Sequence, residues 1–132
     1  MTPRGARRLL DANLNRAREG LRVLEDTARF VWNAPALFAR LRSARHRLDR
    51  ITRRAYPALV ASRDSAADMG RRMKENHRRS PAGLVAANCR RVEEALRVLE
   101  EYGKVLSPRS AGGFKRIRFE MYTLEKEVLK RT

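Results

Sequence analysis

Apolar residues recur every three or four positions along most of this 132-residue chain, which is the spacing of amphipathic helices. Four stretches carry the pattern: Leu10, Leu14, Ala17, Leu21, Leu24 and Ala28; Leu37, Leu41, Ala44, Leu48 and Ile51; Val85, Cys89, Val92, Leu96 and Leu99; and Phe114, Ile117, Met121, Leu124 and Val128. No stretch shows the sustained alternation of Val, Ile or Thr with polar residues that strands require. The sequence therefore predicts an all-α protein with four long helices.

The first and third stretches are copies of one another. Residues 12–31 read ANLNRAREGLRVLEDTARFV, residues 87–106 read ANCRRVEEALRVLEEYGKVL, and nine of these 20 aligned positions are identical. Asparagine, arginine and glutamate repeat in register together with the apolar positions, which two unrelated amphipathic helices would not do. We interpret the similarity as an internal duplication.

Each copy extends into a second helix, so the duplicated unit is a helical hairpin. We expect one helical domain over residues 1–132, with the copies at about 9–55 and 83–128. The crossover between them, residues 56–82, is punctuated by proline and glycine and should contain at most a short helix. Two hairpins related by a pseudo-twofold axis predict a four-helix bundle.

Proline and capping residues indicate where the helices begin. Asn33 followed by Pro35 predicts a new start after the first helix. The pairs Ser80-Pro81 and Ser107-Pro108 predict serine N-caps with proline in the first turn, where its missing N–H is not needed. The second helices of the two copies align at an offset of 73 rather than 75, which predicts a connection two residues shorter in the second copy.

The charge balance narrows the range of ligands. The chain has 31 basic and 15 acidic residues, a net charge of +16, and 26 of the basic residues are arginines. Guanidinium groups pair with phosphate and carboxylate through two parallel hydrogen bonds. Phosphorylated or polyanionic partners are therefore favoured.

Several classes of protein are excluded by what the chain lacks. The single cysteine, Cys89, rules out an internal disulfide and a cysteine-rich zinc site, and it fits a reducing compartment. No run approaches the ~18 apolar residues of a membrane span, and the N-terminal residues do not resemble a signal peptide. We expect a cytoplasmic protein with no membrane partner. Glycine-rich nucleotide loops and zinc-protease motifs are absent, and His46 is expected to be packed rather than catalytic.

Polar residues also fall where the helical pattern expects apolar ones. The duplication places the same set in each copy: Asn13, Arg16, Glu25 and Arg45 in the first, and Asn88, Arg91, Glu100 and Arg118 in the second. Arg45 and Arg118 lie inside the apolar faces of their helices, and a buried guanidinium must find an anion. Each could pair with an internal carboxylate and fix the helix register. Alternatively, the whole set could converge on a shared central cavity that accepts phosphate, and this is the interpretation we favour.

The crossover contributes a second group of candidates. Asp64 and Asp68 are four residues apart, with Gly70 close behind. Two carboxylates on a loop could hold Mg²⁺ together with a nucleotide phosphate. An ordinary turn with a capping aspartate would explain them equally well.

Four segments of the sequence resemble a known family: DANLNRAREGLRVLEDTARFV at 11–31, RDSAADMG at 63–70, VAANCRRVEEALRVLEEYGK at 85–104, and YTLEK at 122–126. It is the alternative hydroxymethylpyrimidine-phosphate kinase family, an all-helical domain often fused N-terminal to thiamine-phosphate synthase. The resemblance implies ATP-dependent phosphorylation of 4-amino-5-hydroxymethyl-2-methylpyrimidine phosphate to its pyrophosphate. It also implies ATP and Mg²⁺ as cofactors, and thiamine-phosphate synthase as a functional partner. The synthase domain does not follow here, which fits either a stand-alone form or an excised piece.

Within that resemblance we assign roles to the candidate residues. The catalytic set, which would neutralise the approaching phosphates or hold the metal, is Arg16, Glu25, Arg45, Arg91, Glu100 and Arg118. The substrate- and phosphate-binding set is Asn13, Asn88, Arg63 and Lys104, and the metal set is Asp64 and Asp68. The acceptor is itself an ionised phosphate, so the reaction needs positioned cations more than a general base. The role of the basic stretch Arg71–Arg79 stays open.

Two other functions compete with a kinase. The first is a non-catalytic helper of thiamine-phosphate synthase. The second is a basic helical module that binds nucleic acid, which the charge favours. Aromatic residues make up only 6% of the chain, and the acidic positions Glu19 and Glu94 recur in both copies, so nucleic acid is the weakest candidate. The sequence leaves open whether ATP lies within one chain or between the subunits of a homodimer.

Overall fold

The computed structural model describes residues 2–132, and it consists of four long helices and a crossover. The helices are α1 (Pro3–Asp26), α2 (Pro35–Thr52), α3 (Tyr56–Ala61), α4 (Pro81–Leu106) and α5 (Pro108–Leu129). A π-helical turn, Thr27–Val31, extends α1, and a single 3₁₀ turn, Met69–Arg72, lies in the crossover. Residues 2–132 contain no strand, so the predicted all-α class is confirmed.

Helix starts follow the predicted signals, with one exception. The Ser80 hydroxyl accepts a hydrogen bond from the N–H of Gly83 at 3.0 Å and caps α4. Asn33 adopts a positive φ of 50°, a conformation that asparagine tolerates, and α2 begins two residues later. The prediction for Ser107 is wrong, because its hydroxyl lies 3.0 Å from that of Ser110 instead of capping the backbone. Ser107 alone joins α4 to α5, and its N–H already donates to the carbonyl of Gly103.

The connections within the two hairpins differ by the predicted two residues. The extension of α1 ends at Val31 and α2 starts at Pro35, whereas α4 ends at Leu106 and α5 starts at Pro108. Val31 and Leu106 are equivalent residues of the two copies. Both first helices therefore end at the same point, and only the turn differs.

The four long helices form a ring in which α1 packs against α2 and α4, and α5 packs against α4 and α2. Helices α1 and α4 run antiparallel, since Leu14 and Leu99 line one end of their contact and Trp32 and Leu84 line the other. Arg47 of α2 forms an ion pair with Glu120 of α5. These two residues are equivalents in the two copies, which places the pseudo-twofold axis between α2 and α5 at this pair.

The crossover contains the short helix that the sequence allowed. Helix α3 packs against α1, where Leu59 joins the hydrophobic core. The remainder, beyond the 3₁₀ turn, runs exposed to the start of α4.

Close contact between α1 and α4 closes the centre of the bundle. A Cβ atom on Gly20 would lie 2.6 Å from Val92 Cγ2 and 3.3 Å from the carbonyl oxygen of Asn88. Leucines fill the space around this contact, and Cys89 is buried among them, where burial raises the pKa of its thiol to about 12. The prediction of a cavity shared by the two hairpins is therefore wrong at this position. The backbones of α1 and α4 approach too closely here to leave such a cavity.

No helix in residues 2–132 has the length and apolar character needed to cross a membrane.

Gly20→Ala tests the close approach of α1 and α4. Alanine raises helix propensity by about 1 kcal/mol, but the added methyl group overlaps Val92 and costs about 1–3 kcal/mol. We expect a net loss in the free energy of unfolding, measured by urea denaturation, and recovery of that loss in the Val92→Ala background. Gly112→Ala is the matched control, because its nearest neighbour is an Arg116 nitrogen 4.0 Å away, and it should stabilise the protein. Equal effects of the two substitutions would contradict the contact.

Candidate active site

Each hairpin contains one buried pair of glutamate and arginine. Arg45 Nε donates to Glu25 Oε2 at 2.5 Å, and Arg45 Nη2 donates to Glu25 Oε1 at 3.0 Å. In the second copy Arg118 Nε and Nη2 both donate to Glu100 Oε2, at 2.9 Å and 2.7 Å. Both carboxylates are buried.

These pairs bear out the first of the two interpretations of the inward arginines, in which each pairs with an internal carboxylate. Arg45 and Glu25 join α2 to α1, and Arg118 and Glu100 join α5 to α4. The remaining Arg118 nitrogen, Nη1, donates to the Tyr122 hydroxyl at 2.9 Å. The guanidinium groups are thus already engaged by groups of their own hairpin.

The predicted asparagines bond to their own helices. Asn13 Nδ2 donates to the carbonyl of Leu9 at 3.0 Å, and Asn88 Nδ2 donates to that of Leu84 at 2.9 Å. Arg16 Nη1 donates to Asn13 Oδ1 at 3.2 Å. The asparagine contact with the carbonyl four residues earlier is present in both copies, which supports the duplication at the level of a single hydrogen bond.

The predicted site residues do not meet at one point. Arg16 and Arg91 are exposed on α1 and α4, whereas Arg45 and Arg118 lie in separate hairpins. Lys104 is exposed and pairs with Glu101 of its own helix at 2.9 Å. The prediction that the set converges on one cavity is therefore wrong, because Arg45 and Arg118 are paired within their own hairpins and Arg16 is exposed like Arg91.

A different cluster gathers around Tyr56, at the start of α3. Arg63 donates to Asp11 through two hydrogen bonds of 2.7 Å and 3.0 Å, and Arg18 Nε lies 2.7 Å from Asp49 Oδ1. The guanidinium carbons of Arg18 and Arg63 lie 5.7 Å and 6.0 Å from the centre of the Tyr56 ring. These two cations, Arg63 first and then Arg18, lower the pKa of the Tyr56 phenol.

This cluster borders a cavity that we call the Tyr56 pocket. It has a volume of about 230 Å³ and is lined by Arg18, Asp49, Thr52, Arg53, Tyr56 and Pro57. A larger cleft of about 600 Å³, the α2 cleft, adjoins it and shares Asp49 and Arg53. The α2 cleft adds Arg42, Arg50 and His46, so the expectation that His46 is packed is wrong. Position 46 follows Arg45 by about 100° of helix rotation, which turns it out of the core.

The two copies differ where the Tyr56 pocket forms. Arg18 and Thr52 of the first copy correspond to Glu93 and Glu125 of the second. Burial and the neighbouring Glu125 raise the pKa of Glu93 from its ordinary value of 4.5 to about 7. The equivalent surface of the second hairpin thus carries two neighbouring carboxyl groups and is unsuited to an anion.

The sequence pointed to Arg63 as a phosphate-binding residue, but Arg18, Asp49 and Tyr56 were not among the candidates. A signal was nevertheless available. The two copies differ in charge at two aligned positions, with Arg18 opposite Glu93 and Thr52 opposite Glu125. Such differences mark the positions at which duplicated copies specialise. The identical Glu–Arg positions, by contrast, join the two helices within each hairpin.

The predicted metal ligands cap turns in the crossover. Asp64 Oδ1 accepts from the N–H of Ala67 at 3.3 Å, and Asp68 Oδ1 accepts from the N–H of Gly70 at 2.8 Å. In the part of the chain that the structure describes, no group of three or more His, Cys, Asp or Glu side chains is placed to hold a metal. Mg²⁺ that is shared with a nucleotide needs only one or two carboxylates beside the phosphates, so the two aspartates are compatible with it.

Comparison with known proteins adds a family relationship. The profile of the ThiD2 family matches residues 8–127. The chain is 45% identical to the thiamine-phosphate synthase of Synechococcus sp. (strain CC9605), with all of the chain and 37% of that protein aligned. Identity to the thiamine-phosphate synthase of Nostoc punctiforme (strain ATCC 29133 / PCC 73102) is 42%, over 92% of the chain and 35% of that protein. The chain thus spans about a third of the length of the curated relatives it matches. No solved structure matches it.

Substitutions at Arg118 and Glu100 test whether the buried pair has a structural role. Arg118→Met leaves the buried Glu100 carboxylate with only the half-exposed Arg97, 3.6 Å away, and should cost about 3 kcal/mol of unfolding free energy. The double variant Glu100→Leu/Arg118→Met removes both charges and should recover most of that loss in urea denaturation. Arg40→Ala, which breaks the half-exposed pair with Glu127, should cost less than about 1 kcal/mol. A double variant no more stable than Arg118→Met would contradict the assignment.

The neighbouring carboxyl groups of Glu93 and Glu125 should make the stability of the protein depend on pH. Because folding raises the pKa of Glu93, the folded state holds this proton more tightly. Its contribution to stability is full below about pH 4.5 and is lost as the pH rises to about 7. Glu93→Gln should flatten this fall and stabilise the protein by about 1 kcal/mol above neutral pH, after allowance for solvent screening. Urea midpoints measured across this range test it. Glu19→Gln, at an exposed position of α1 outside this pair, should leave the slope unchanged.

Proposed function

Because the chain belongs to the ThiD2 family, we propose that it is a kinase of thiamine biosynthesis. Its reaction is transfer of the ATP γ-phosphoryl group to 4-amino-5-hydroxymethyl-2-methylpyrimidine phosphate. A phosphate oxygen of the acceptor bonds to the γ-phosphorus, the bond to the β–γ bridging oxygen breaks, and ADP leaves with that electron pair. The products are ADP and the pyrimidine pyrophosphate.

The observation that carries the proposal is the pair of adjoining recesses lined by cations. The Tyr56 pocket presents Arg18 and Arg53, and the α2 cleft continues it with Arg42 and Arg50. Two phosphate-bearing molecules can lie side by side only where their mutual repulsion is neutralised. The adjoining arginines support the proposal that ATP and the pyrimidine phosphate lie here.

Carboxylates hold Arg63 and Arg18, the two arginines beside the Tyr56 ring, in place before a ligand arrives. Asp11 engages Arg63 through two hydrogen bonds, and Asp49 engages Arg18. The Arg63 guanidinium is a fixed cation, since Asp11 and then Tyr56 raise its pKa further. A preorganised cation stabilises developing charge without reorganising during the reaction. We assign Arg63 to the acceptor phosphate, in line with its predicted role.

The acceptor phosphate is already ionised near neutral pH, so the reaction needs no strong general base. Asp64, next to Arg63 in the chain, and Asp68 would hold Mg²⁺, which supplies charge neutralisation on the ATP phosphates. The phosphate-neutralising roles assigned to Arg16, Arg45, Arg91 and Arg118 stay predictions, as do the metal roles of Glu25 and Glu100. Asn13, Asn88 and Lys104 likewise stay predicted ligands of the substrate.

The relatives named thiamine-phosphate synthase suggest the partner. In the proposed pathway, that synthase consumes the pyrimidine pyrophosphate, so a fused or associated synthase would receive the product directly. We propose thiamine-phosphate synthase as the functional partner of this chain.

Incubation of the protein with ATP, Mg²⁺ and the pyrimidine monophosphate tests the kinase. We expect ADP and the pyrimidine pyrophosphate, resolved by anion-exchange chromatography. Arg63→Ala should lower kcat/KM by about 100-fold, chiefly through KM for the pyrimidine phosphate, because it removes a charge-assisted contact. Arg63→Lys keeps the charge without the bidentate geometry and should fall in between.

Arg116→Ala is the matched control for these variants, because Arg116 is an exposed arginine of α5 outside both recesses. Thermal unfolding of each variant separates lost activity from lost folding. No turnover by the wild-type chain, with faster synthesis when it is added to thiamine-phosphate synthase, would favour the helper. No turnover, with DNA binding that survives physiological salt, would favour the nucleic-acid module.

A further inference from the structure

A second large recess, which we call the Trp32 cleft, lies at the opposite end of the bundle. Its volume is about 780 Å³, within the range of sites for small molecules. The end of α1 and its extension, the start of α4 and the last residues of the chain form its walls. The lining includes Val31, Trp32, Arg78, Arg79, Leu84 and Arg131.

The charge of the Trp32 cleft differs from that of the Tyr56 pocket. Three arginines line the cleft, and its lining contains no aspartate or glutamate. Arg78, Arg79 and Arg131 also form no ion pair with any carboxylate among residues 2–132. In a chain where many arginines are paired, three neighbouring unpaired guanidinium groups are available to an external anion.

The other wall of the cleft is apolar and aromatic. Trp32 is packed against the hydrophobic core, and the guanidinium carbon of Arg131 lies 6.0 Å from the centre of its ring. Val31 is 73% exposed beside it, and Leu84 borders the same space. A planar ring can stack on indole or guanidinium faces, while phosphates attached to it reach the arginines.

We propose that the Trp32 cleft binds a planar heteroaromatic ring that carries a phosphate chain, the chemistry of a nucleoside triphosphate. The cations give the cleft its affinity for phosphate, and the start of α4 adds little, because Ser80 already caps it. The proposal gives a role to Arg78 and Arg79, the end of the basic stretch whose function the sequence left open.

The Trp32 cleft shares no lining residue with either recess of the proposed kinase reaction. Trp32 follows Arg18 by 14 residues, which is about 20 Å along a helix. A ligand in the Trp32 cleft therefore does not contact the arginines of the Tyr56 pocket in the same chain. The inference goes beyond the proposed function and does not depend on it.

Trp32 is the only tryptophan in the chain, so its fluorescence reports on the cleft directly. Titration with ATP at physiological salt should change this fluorescence saturably. Arg131→Ala, and separately Arg78→Ala/Arg79→Ala, should each weaken ATP binding by at least about tenfold. Arg109→Ala removes the same charge from an exposed position at the other end of the bundle and should leave the binding constant unchanged. Arg63→Ala should also leave it unchanged, whatever its effect on turnover.

Two further ligands define what the cleft recognises. Tripolyphosphate has the phosphate chain without the ring, and the pyrimidine monophosphate has a ring with one phosphate. We expect ATP to bind more tightly than both, because it alone engages the aromatic wall and all three arginines. No saturable change up to millimolar ATP, equal weakening by Arg109→Ala, or equally tight binding of tripolyphosphate would each overturn the proposal. If the pyrimidine monophosphate bound more tightly than ATP, the ligand of the Trp32 cleft would be the pyrimidine and not the nucleotide, which would also overturn the proposal.

Discussion

A glutamate buried between two helices governs the geometry of each hairpin. Glu25 is fully buried, and an ionised carboxylate in that position is tolerable only when a cation reaches it with good geometry. Arg45 reaches it with two hydrogen bonds, and this contact sets how far α2 is displaced along α1. Glu100 and Arg118 set α5 against α4 in the same way. The register of the bundle therefore depends on one ionic interaction used twice.

The identical parts of the repeat stabilise the fold, and the parts that differ create the recesses. Because the Glu–Arg pairs hold the helices of each hairpin together, other positions on the same helices are free to diverge. Arg18 and Thr52 line a cationic pocket in the first copy, whereas the equivalent residues of the second copy, Glu93 and Glu125, are acidic. Arginine side chains spread evenly over both copies would repel one another. The divergence instead concentrates arginine where carboxylates such as Asp11 and Asp49 hold it in place.

The net charge of +16 is therefore divided into groups with different physical states. Arg45 and Arg118 are engaged inside the hairpins, Arg18 and Arg63 are held in position by carboxylates, and Arg78, Arg79 and Arg131 face the Trp32 cleft without one. A held arginine is suited to a phosphate whose position must be accurate. An unpaired, exposed arginine is suited to binding a flexible phosphate chain.

The sequence by itself determined the helices, the duplication, the shorter second connection and the inward placement of Arg45 and Arg118. These follow from a period of 3.6 residues and from comparison of the two copies, both of which are local properties of the chain. The tertiary structure alone decided which groups these arginines meet. It also placed Arg18 beside Tyr56 and Arg63, exposed His46, and closed the centre of the bundle at Gly20. Periodicity gives the face on which a residue lies, but contacts between faces depend on how closely and in what register helices distant in the chain approach one another.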